Sequence, residues 1–319
     1  MEKRIFALDN LKGILIILVV VGHCIQFTTN DFDNVALFRF IYAFHMPLFM
    51  WVSGFVNYRE GATKLSILKR RALQLALPFL AWTLFHALTT RNPHHLVDVF
   101  FNPTLSVWFV WDLFLIICFS TVINYLCEKY GKPSLKFTIV AFLVAEVLVK
   151  GLHLNILDFS HSLDMGMYYL MGYYMHKYQV LNKIINVKFG GGILVLFFVM
   201  CLFWQRKMPP TFIPNAPNAI GTLWKMVTAI FACCSIPLFF MRLAEKKIKV
   251  ITYLGRQTLG IYVVHQTLLG LLIKQFESYD MPYWCLVSLL AILTIIVSQI
   301  INVLLQKNRM TALVMLGKR

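Results

Sequence analysis

One stretch decides the fold: Lys12-Gly-Ile-Leu-Ile-Ile-Leu-Val-Val-Val-Gly-His23, a cation and a histidine separated only by apolar residues and glycine. Three turns of an α-helix bring residue 23 back to nearly the face of residue 12 and carry it ~16 Å along the axis. We therefore expect Lys12 and His23 to line one side of one membrane helix, the lysine near a surface and the histidine well inside. Ionisable groups at such depth are costly, which makes them functional candidates.

The composition of the chain is that of a membrane protein. Of its 319 residues, 59% are hydrophobic and 14% are charged, and the mean hydropathy is +0.70. A soluble domain carries about 25% charged residues. Apolar runs of about 17 residues or more, each long enough to cross a bilayer as a helix, recur along the whole length. The sequence thus predicts an all-α polytopic membrane protein, with one integral membrane domain over residues 1–319.

The apolar runs predict about ten transmembrane helices. Their spans are roughly 11–28, 36–57, 71–89, 106–127, 136–152, 163–178, 189–205, 220–241, 257–274 and 283–305. Ten spans put both termini on one side, and most of the 30 Lys and Arg residues lie at the termini or in loops on that side. Cytoplasmic loops carry such an excess, so both termini are predicted to be cytoplasmic.

Two further function classes are disfavoured by the same distribution. The net charge of +16 does not indicate nucleic-acid binding, because the basic residues sit in short loops between apolar runs. The seven cysteines lie mostly within predicted spans, at spacings that match neither a metal site nor a disulfide framework. We therefore expect no nucleic-acid partner and no metal.

His23 has the properties of a general base. A low-dielectric site favours the neutral imidazole, the form that can take a proton from a sugar hydroxyl. Lys12, at the other end of the same face, suits the phosphates of a nucleotide-bearing molecule. A surface phosphate site with a base ~16 Å deeper fits a long thioester donor that is threaded into the membrane. Two structural alternatives stay open: a helix-packing histidine and a lysine that only anchors the helix at the interface.

His45 is the second histidine within a predicted span. It opens the stretch His45-Met-Pro-Leu-Phe-Met-Trp-Val-Ser-Gly-Phe55, in which Pro47 is expected to kink the helix. A short loop joins this span to the first, so the two helices are antiparallel. His45 and His23 are therefore able to lie at comparable depth.

Two further groups of polar residues are candidates. In the ninth span Tyr262, His265 and Gln266 are spaced so that they share one helix face. Arg70 and Arg71 follow Lys69 at the cytoplasmic start of the third span. These two arginines are either a positive-inside anchor or a second phosphate clamp adjacent to Lys12.

Other intramembrane polar groups carry less information. Asp112 and Glu146 either pair with cations or stay protonated. The short span at 165–175 is crowded with tyrosine, methionine and glycine, and it either lines a polar cavity or forms an interfacial aromatic belt.

On these residues the chain resembles the acyltransferase-3 family of integral membrane O-acyltransferases, and within it the branch related to fucose 4-O-acetylases and polysaccharide or lipid-sugar acetylases. The matching segments are Leu8-Asp-Asn-Leu-Lys-Gly13, Val21-Gly-His23, His45-Met-Pro-Leu-Phe49, Ser53-Gly-Phe55, Val107-Trp-Phe-Val110 and Thr258-Leu-Gly-Ile-Tyr-Val-Val-His265. They occur in family order over most of the chain. One departure is Gln74, which stands where the family often has a second arginine three residues after the first.

The resemblance implies an O-acyltransferase of the bacterial cytoplasmic (inner) membrane. Its donor would be cytoplasmic acyl-CoA, usually acetyl-CoA, and its acceptor a sugar hydroxyl of a lipid-linked or envelope glycan within or beside membrane lipid. His23 is then the essential base and Lys12 a contributor to donor binding. We add His45 and His265 as catalytic candidates, and Arg70 and Arg71 as weaker candidates for donor binding. Trp108, His161 and Asp164 are candidates for contact with the acceptor.

Two other functions remain open at this stage. A transporter or flippase for polysaccharide intermediates would also have many spans and intramembrane charges, although the chain lacks the paired broken helices of many transporters. A purely structural membrane partner would leave the three histidines unexplained.

Overall fold

The computed structural model describes residues 6–58, 66–102, 107–153, 157, 159–183, 187–207, 209–213, 217–276, 279 and 281–318. Within these ranges all the regular structure is helical. The helices are α1 (Phe6–Thr28), α2 (Ala36–Tyr42), α3 (His45–Asn57), α4 (Ser66–Arg71), α5 (Leu77–Thr90), α6 (His95–Phe101), α7 (Trp108–Lys129), α8 (Ser134–Gly151), α9 (Phe159–Lys177), α10 (Val180–Lys183), α11 (Val187–Leu202), α12 (Asn218–Leu243), α13 (Lys249–Arg256), α14 (Thr258–Phe276), α15 (Tyr283–Gln306) and α16 (Arg309–Leu316). A 3-10 turn occupies Phe32–Asn34, and a π-helical turn occupies Ala72–Ala76.

The prediction of an all-α membrane protein is confirmed, and each of the ten predicted spans coincides with helix. Among the described residues, seven helical stretches are long and apolar enough to cross a bilayer: Phe6–Thr28, Ala36–Asn57, Ser66–Thr90, Trp108–Lys129, Asn218–Leu243, Thr258–Phe276 and Tyr283–Gln306. The other three predicted spans correspond to α8, α9 and α11, which are shorter or more polar. The count of ten and the cytoplasmic termini stay predictions, and the predicted span start at 106 lies outside the described residues.

The second span is interrupted at residues 43–44, between α2 and α3. Pro47, in the first turn of α3, has no N–H to donate to the carbonyl of Ala43 four residues earlier, and its ring clashes with that carbonyl. The position of the break therefore agrees with the kink predicted from Pro47, and it separates Tyr42 from His45 by a turn.

The chain divides into two compact units: Met1–Val52 with Val180–Asn302, and Ser53–Gln179 with Val303–Arg319. In the first unit α1 packs against α12, α13 and α14. The crossing of α1 and α13 is close because glycine stands on both sides. A Cβ on Gly13 would meet the carbonyl oxygen of Ile251, and one on Gly255 would meet that of Asp9.

Asn10 fastens the segment before α13 to α1. Its amide nitrogen donates to the carbonyl oxygens of Ala244 and Lys246, at 2.9 Å each. Its carbonyl oxygen accepts from the Thr252 hydroxyl at 2.5 Å. Asn10 and Thr252 are both fully buried, so these bonds satisfy polar groups that would otherwise be costly.

A salt bridge forms between Arg206 and Asp33, which lies in the segment that connects α1 to α2. Arg206 donates from Nε and Nη2 to the two carboxylate oxygens of Asp33, at 2.7 and 2.9 Å. This bidentate hydrogen bond lowers the pKa of Asp33 below its usual value. The guanidinium also lies over the Phe32 ring, 4.9 Å from its centroid.

The second unit is built on the three-way packing of α7, α8 and α9. The Tyr174 hydroxyl lies within this packing, 3.1 Å from Asn124 Oδ1 and 3.0 Å from Thr138 Oγ1. The small residue Gly166 admits the ring of Phe142. The C-terminal α16 packs on α5, where Trp82 Nε1 donates to the carbonyl oxygen of Met315 at 2.9 Å.

The α1–α13 crossing generates a stability prediction. Gly255→Ala should destabilise the protein by about 1–3 kcal/mol, because the new methyl group overlaps the Asp9 carbonyl and forces the helices apart. The matched control is Gly270→Ala in α14, where a Cβ meets nothing within 4 Å. This control should be neutral or stabilise by up to ~1 kcal/mol. Thermal unfolding of the detergent-solubilised variants measures both, and equal shifts in Tm would contradict the close crossing.

Candidate active site

His23 and His265 face each other in the first unit. Their ring centroids are 5.1 Å apart, and the ring planes are inclined by 47°. Gln266, the neighbour of His265 on α14, brings its amide nitrogen to 3.3 Å from Nε2 of His23. His265 is fully buried, whereas His23 is half-buried. The contact of α1 with α14 thus joins the histidine of the opening stretch to the polar face predicted on the ninth span.

His45 joins this group through Tyr42. The Tyr42 ring lies 4.8 Å from the His45 ring and 6.4 Å from the His23 ring, both in edge-on arrangements. The Tyr42 hydroxyl donates to Oε1 of Gln26 at 2.9 Å. Three histidines from three helices therefore lie around one tyrosine and two glutamines. We name His23, His45, His265, Tyr42, Gln26 and Gln266 the histidine cluster.

The tautomers of two of the histidines follow from their backbone contacts. His45 Nδ1 lies 2.7 Å from the carbonyl oxygen of Ile41, and His265 Nδ1 lies 2.6 Å from that of Tyr262. A carbonyl only accepts, so both rings carry a proton on Nδ1 and a lone pair on Nε2. The Nε2 atom of His265 is buried and makes no hydrogen bond among the described residues.

The tautomer of His23 depends on an amide orientation. If Gln266 donates an N–H, Nε2 of His23 accepts and Nδ1 holds the proton; with the amide reversed, the lone pair moves to Nδ1. The Nδ1 atom of His23 makes no hydrogen bond among the described residues. Of the three histidines, His23 is the one with neither ring nitrogen tied to a backbone carbonyl in the described contacts. It is the ring best able to exchange a proton.

Lys12 lies three turns before His23 on α1, in an ion-paired group. Lys12 Nζ is 2.9 Å from one carboxylate oxygen of Asp9, and Arg256 Nε is 3.3 Å from the other. The Asp9 side chain is only 7% exposed, whereas those of Lys12 and Arg256 are 24% and 32% exposed. Two cations on one carboxylate leave a net positive charge with both cations reaching solvent. An anionic group is the ligand that this end of α1 suits.

Arg70 and Arg71 belong to the second unit. Arg71 donates to Oε1 of Gln74 at 2.9 Å and to Oδ1 of Asn57, and Asn57 in turn donates to the Tyr169 hydroxyl at 2.5 Å. Gln74 therefore accepts a hydrogen bond where a second arginine would repel the first. Arg70 Nε is buried and makes no hydrogen bond within the described part of the chain. The role of a clamp adjacent to Lys12 stays a prediction.

The polar groups left open by the sequence have partners. Asp112 accepts from His161, and Glu146 pairs with Lys150 at 2.8 Å. In the tyrosine-rich helix α9, Tyr169 and Tyr174 direct their hydroxyls to protein partners. Both tyrosine side chains are buried, and the choice between a polar cavity and an interfacial belt stays a prediction.

Several residues of these sites were not found from the sequence. Tyr42, Gln26 and Arg256 carry no motif of their own, and their places depend on how helices rotate against each other. Asp9 had a usable signal, because it stands three residues before Lys12, the spacing of a helical ion pair. The spacing of Gln266 in the sequence places it on the same helix face as His265.

Comparison with known proteins identifies the family. A family model described as an acyltransferase domain matches residues 5–303. The nodulation protein NolL of Mesorhizobium japonicum is 36% identical over 130 residues, 36% of this chain and 34% of that protein. The nodulation protein NolL of Sinorhizobium fredii is 42% identical over 89 residues, 25% of this chain and 24% of that protein. The chain thus spans about a third of the length of the first relative and about a quarter of the second, and no solved structure matches it significantly.

The different burial of the three histidines predicts different reactivity toward diethylpyrocarbonate, which modifies imidazole nitrogens. His23 should react at least about tenfold faster than His45 and His265, because a buried nitrogen reacts only when the structure opens locally. Peptide mapping by mass spectrometry gives the three rates. The exposed His94 serves as the fast reference. Modification of His45 or His265 at the rate of His23 would contradict the cluster geometry.

Proposed function

The chain belongs to the acyltransferase family, and on this premise we propose that it transfers an acyl group, acetyl in the first place, from acyl-CoA to a hydroxyl of a sugar. The acceptor is a sugar of a lipid-linked or envelope glycan. The observation that carries the proposal is the histidine cluster, in which His23 meets His265 and Gln266 at the membrane-embedded part of α1. An uncharged imidazole in such surroundings is a competent general base.

His23 takes the proton of the acceptor hydroxyl. The sugar oxygen then attacks the thioester carbonyl carbon, a C–O bond forms, and the C–S bond breaks. His23 returns the proton to the departing sulfur, so the products are the acylated sugar and free CoA thiol. Gln266 and Tyr42 act as positioning residues, the first by its contact with Nε2 of His23 and the second by packing between His23 and His45.

The donor is anchored at the opposite end of the same helix face. Lys12 and Arg256, held on Asp9, offer positive charge to the phosphates of acyl-CoA. His23 lies three turns further along α1, ~16 Å for an ideal helix. A donor with phosphates at one end and a thioester at the other matches this separation. We assign Arg70 and Arg71 a secondary part in donor binding on their charge and on their place in the sequence, at the predicted cytoplasmic start of the third span.

The membrane and its orientation complete the proposal. The excess of Lys and Arg on the side of the termini favours cytoplasmic termini, which would expose Lys12 to the cytoplasmic acyl-CoA pool. Both relatives come from bacteria and are nodulation proteins. They support a bacterial cytoplasmic membrane as the location of this chain.

The base is tested with labelled acetyl-CoA and membranes that contain the protein. His23→Gln and His23→Ala should lower label transfer to glycan by about 10²–10⁴-fold, the contribution of a general base. His94→Gln, at an exposed position, should leave transfer unchanged. Transfer that survives both His23 substitutions would refute the mechanism. Movement of glycan across the membrane with no acyl transfer in the wild type would favour a transporter.

The donor anchor is tested by the charge at position 12. Lys12→Gln should raise the KM for acetyl-CoA by about ten- to a hundredfold, because a charge-assisted contact contributes ~1.5–3 kcal/mol. Lys12→Arg keeps the charge and should retain most of the affinity. The kcat at saturating donor should change little in either variant. A fall in kcat with an unchanged KM would show that Lys12 does not bind the donor.

A further inference from the structure

The second unit contains a polar cluster that the proposed mechanism does not use. It joins the start of α7 to the start of α9 through Trp108, Asp112, His161 and Ser162. We propose that these residues form a carbohydrate-binding site that holds the acceptor saccharide. Its identification with the acceptor rests on the proposed acyl transfer to a sugar, but the binding of saccharide does not.

Asp112 is the residue that the hydrogen bonds of His161 and Ser162 share. Its side chain is completely buried, and its two carboxylate oxygens accept from His161 Nδ1 at 2.7 Å and from Ser162 Oγ at 2.9 Å. A buried carboxylate is costly unless both oxygens are hydrogen-bonded, and here both are. The carboxylate therefore holds the two neighbouring side chains of α9 in fixed positions.

The ring of His161 is held in place by this arrangement. Because the carboxylate of Asp112 contacts Nδ1, the orientation of the imidazole is fixed. The His161 side chain is 33% exposed. The Trp108 ring, one turn before Asp112 on α7, meets the imidazole edge-on, with centroids 4.9 Å apart. An aromatic face and an oriented imidazole thus stand side by side at the surface of the unit.

Further donors and acceptors border the cluster. Asp164, one turn after His161, pairs with Lys150 at 2.8 Å, and Lys150 also pairs with Glu146 at 2.8 Å. Lys150 and Asp164 are each 47% exposed. The carboxylates outnumber the lysine, so the region is net negative and disfavours a phosphate or an anionic headgroup.

These features together select an uncharged polyhydroxylated ligand. A saccharide has an apolar C–H face that packs on an indole, and hydroxyls that both donate and accept. Carboxylates accept from such hydroxyls, and the lysine donates to them. Few other ligand classes combine an apolar face with dense neutral hydrogen-bonding groups.

Saturation-transfer NMR on the full chain in lipid nanodiscs tests the site. The probes are L-fucose, N-acetylglucosamine, D-glucose and D-galactose. The wild type should bind at least one of them, and Trp108→Ala and His161→Gln should weaken that binding about tenfold. Trp108→Phe keeps a ring and should retain most of the affinity. Trp284→Ala, at an exposed tryptophan of α15, and His94→Gln are matched controls that should bind like the wild type.

The Asp112→Asn variant distinguishes a role in saccharide binding from a role in overall stability, because saccharide affinity and acetyl-CoA affinity are measured on the same variant. It should weaken saccharide binding through the loss of His161 orientation, while acetyl-CoA affinity stays within twofold of the wild type. Thermal unfolding confirms that each variant is folded. If Asp112→Asn does not fold, His161→Gln and Trp108→Ala decide the question, since both residues are partly exposed.

The outcomes separate this inference from the proposed function. If saccharide binding depends on Trp108 and His161 but the protein transfers no acyl group, the binding-site proposal is supported and the acyl-transfer proposal is refuted. His23→Ala should lose transfer and keep saccharide binding. A wild type that binds none of the four probes, or Trp108→Ala and His161→Gln variants with wild-type affinity, would overturn the inference whether or not acyl transfer occurs.

Discussion

The candidate active site depends on the backbone-to-backbone contact of α1 with α13. Gly13 and Gly255 allow the two helices to touch, and Asn10 fixes the segment that leads into α13. Because α13 continues after one residue into α14, the same contact brings Arg256 to Asp9 and His265 to His23. One close crossing thus assembles the positive end and the histidine end of a single helix. Any side chain larger than glycine at the crossing would move both ends together.

Much of the fold could be predicted because its signal lies in composition. The lengths of the apolar runs predicted every described membrane helix. The uninterrupted apolar run between Lys12 and His23 predicted that these two residues share a helix. One local exception was predicted and another was not. The break between α2 and α3 lies one turn before Pro47, where the proline is expected to interrupt the helix. The π-helical turn that follows Arg71 contains no proline or glycine, and periodicity along that segment does not predict it.

The residues of the site could be chosen from the sequence, but the contacts between them could not be predicted. The three histidines chosen as catalytic candidates, His23, His45 and His265, all lie in one cluster. Their contacts depend on the rotation of each helix about its own axis, so Tyr42 could not be foreseen between His23 and His45. The same applies to Asp112 and His161, which are far apart in sequence and meet only when α7 packs on α9.

In the proposed mechanism acyl-CoA lies along α1 with its thioester at His23. A cryo-electron microscopy structure of the full chain in lipid nanodiscs with a non-hydrolysable acetyl-CoA analogue measures this most directly. We expect the acyl end within hydrogen-bond reach of His23 and the phosphates on Lys12 and Arg256. An acyl end outside the histidine cluster, or phosphates away from Asp9 and its two cations, would contradict the mechanism.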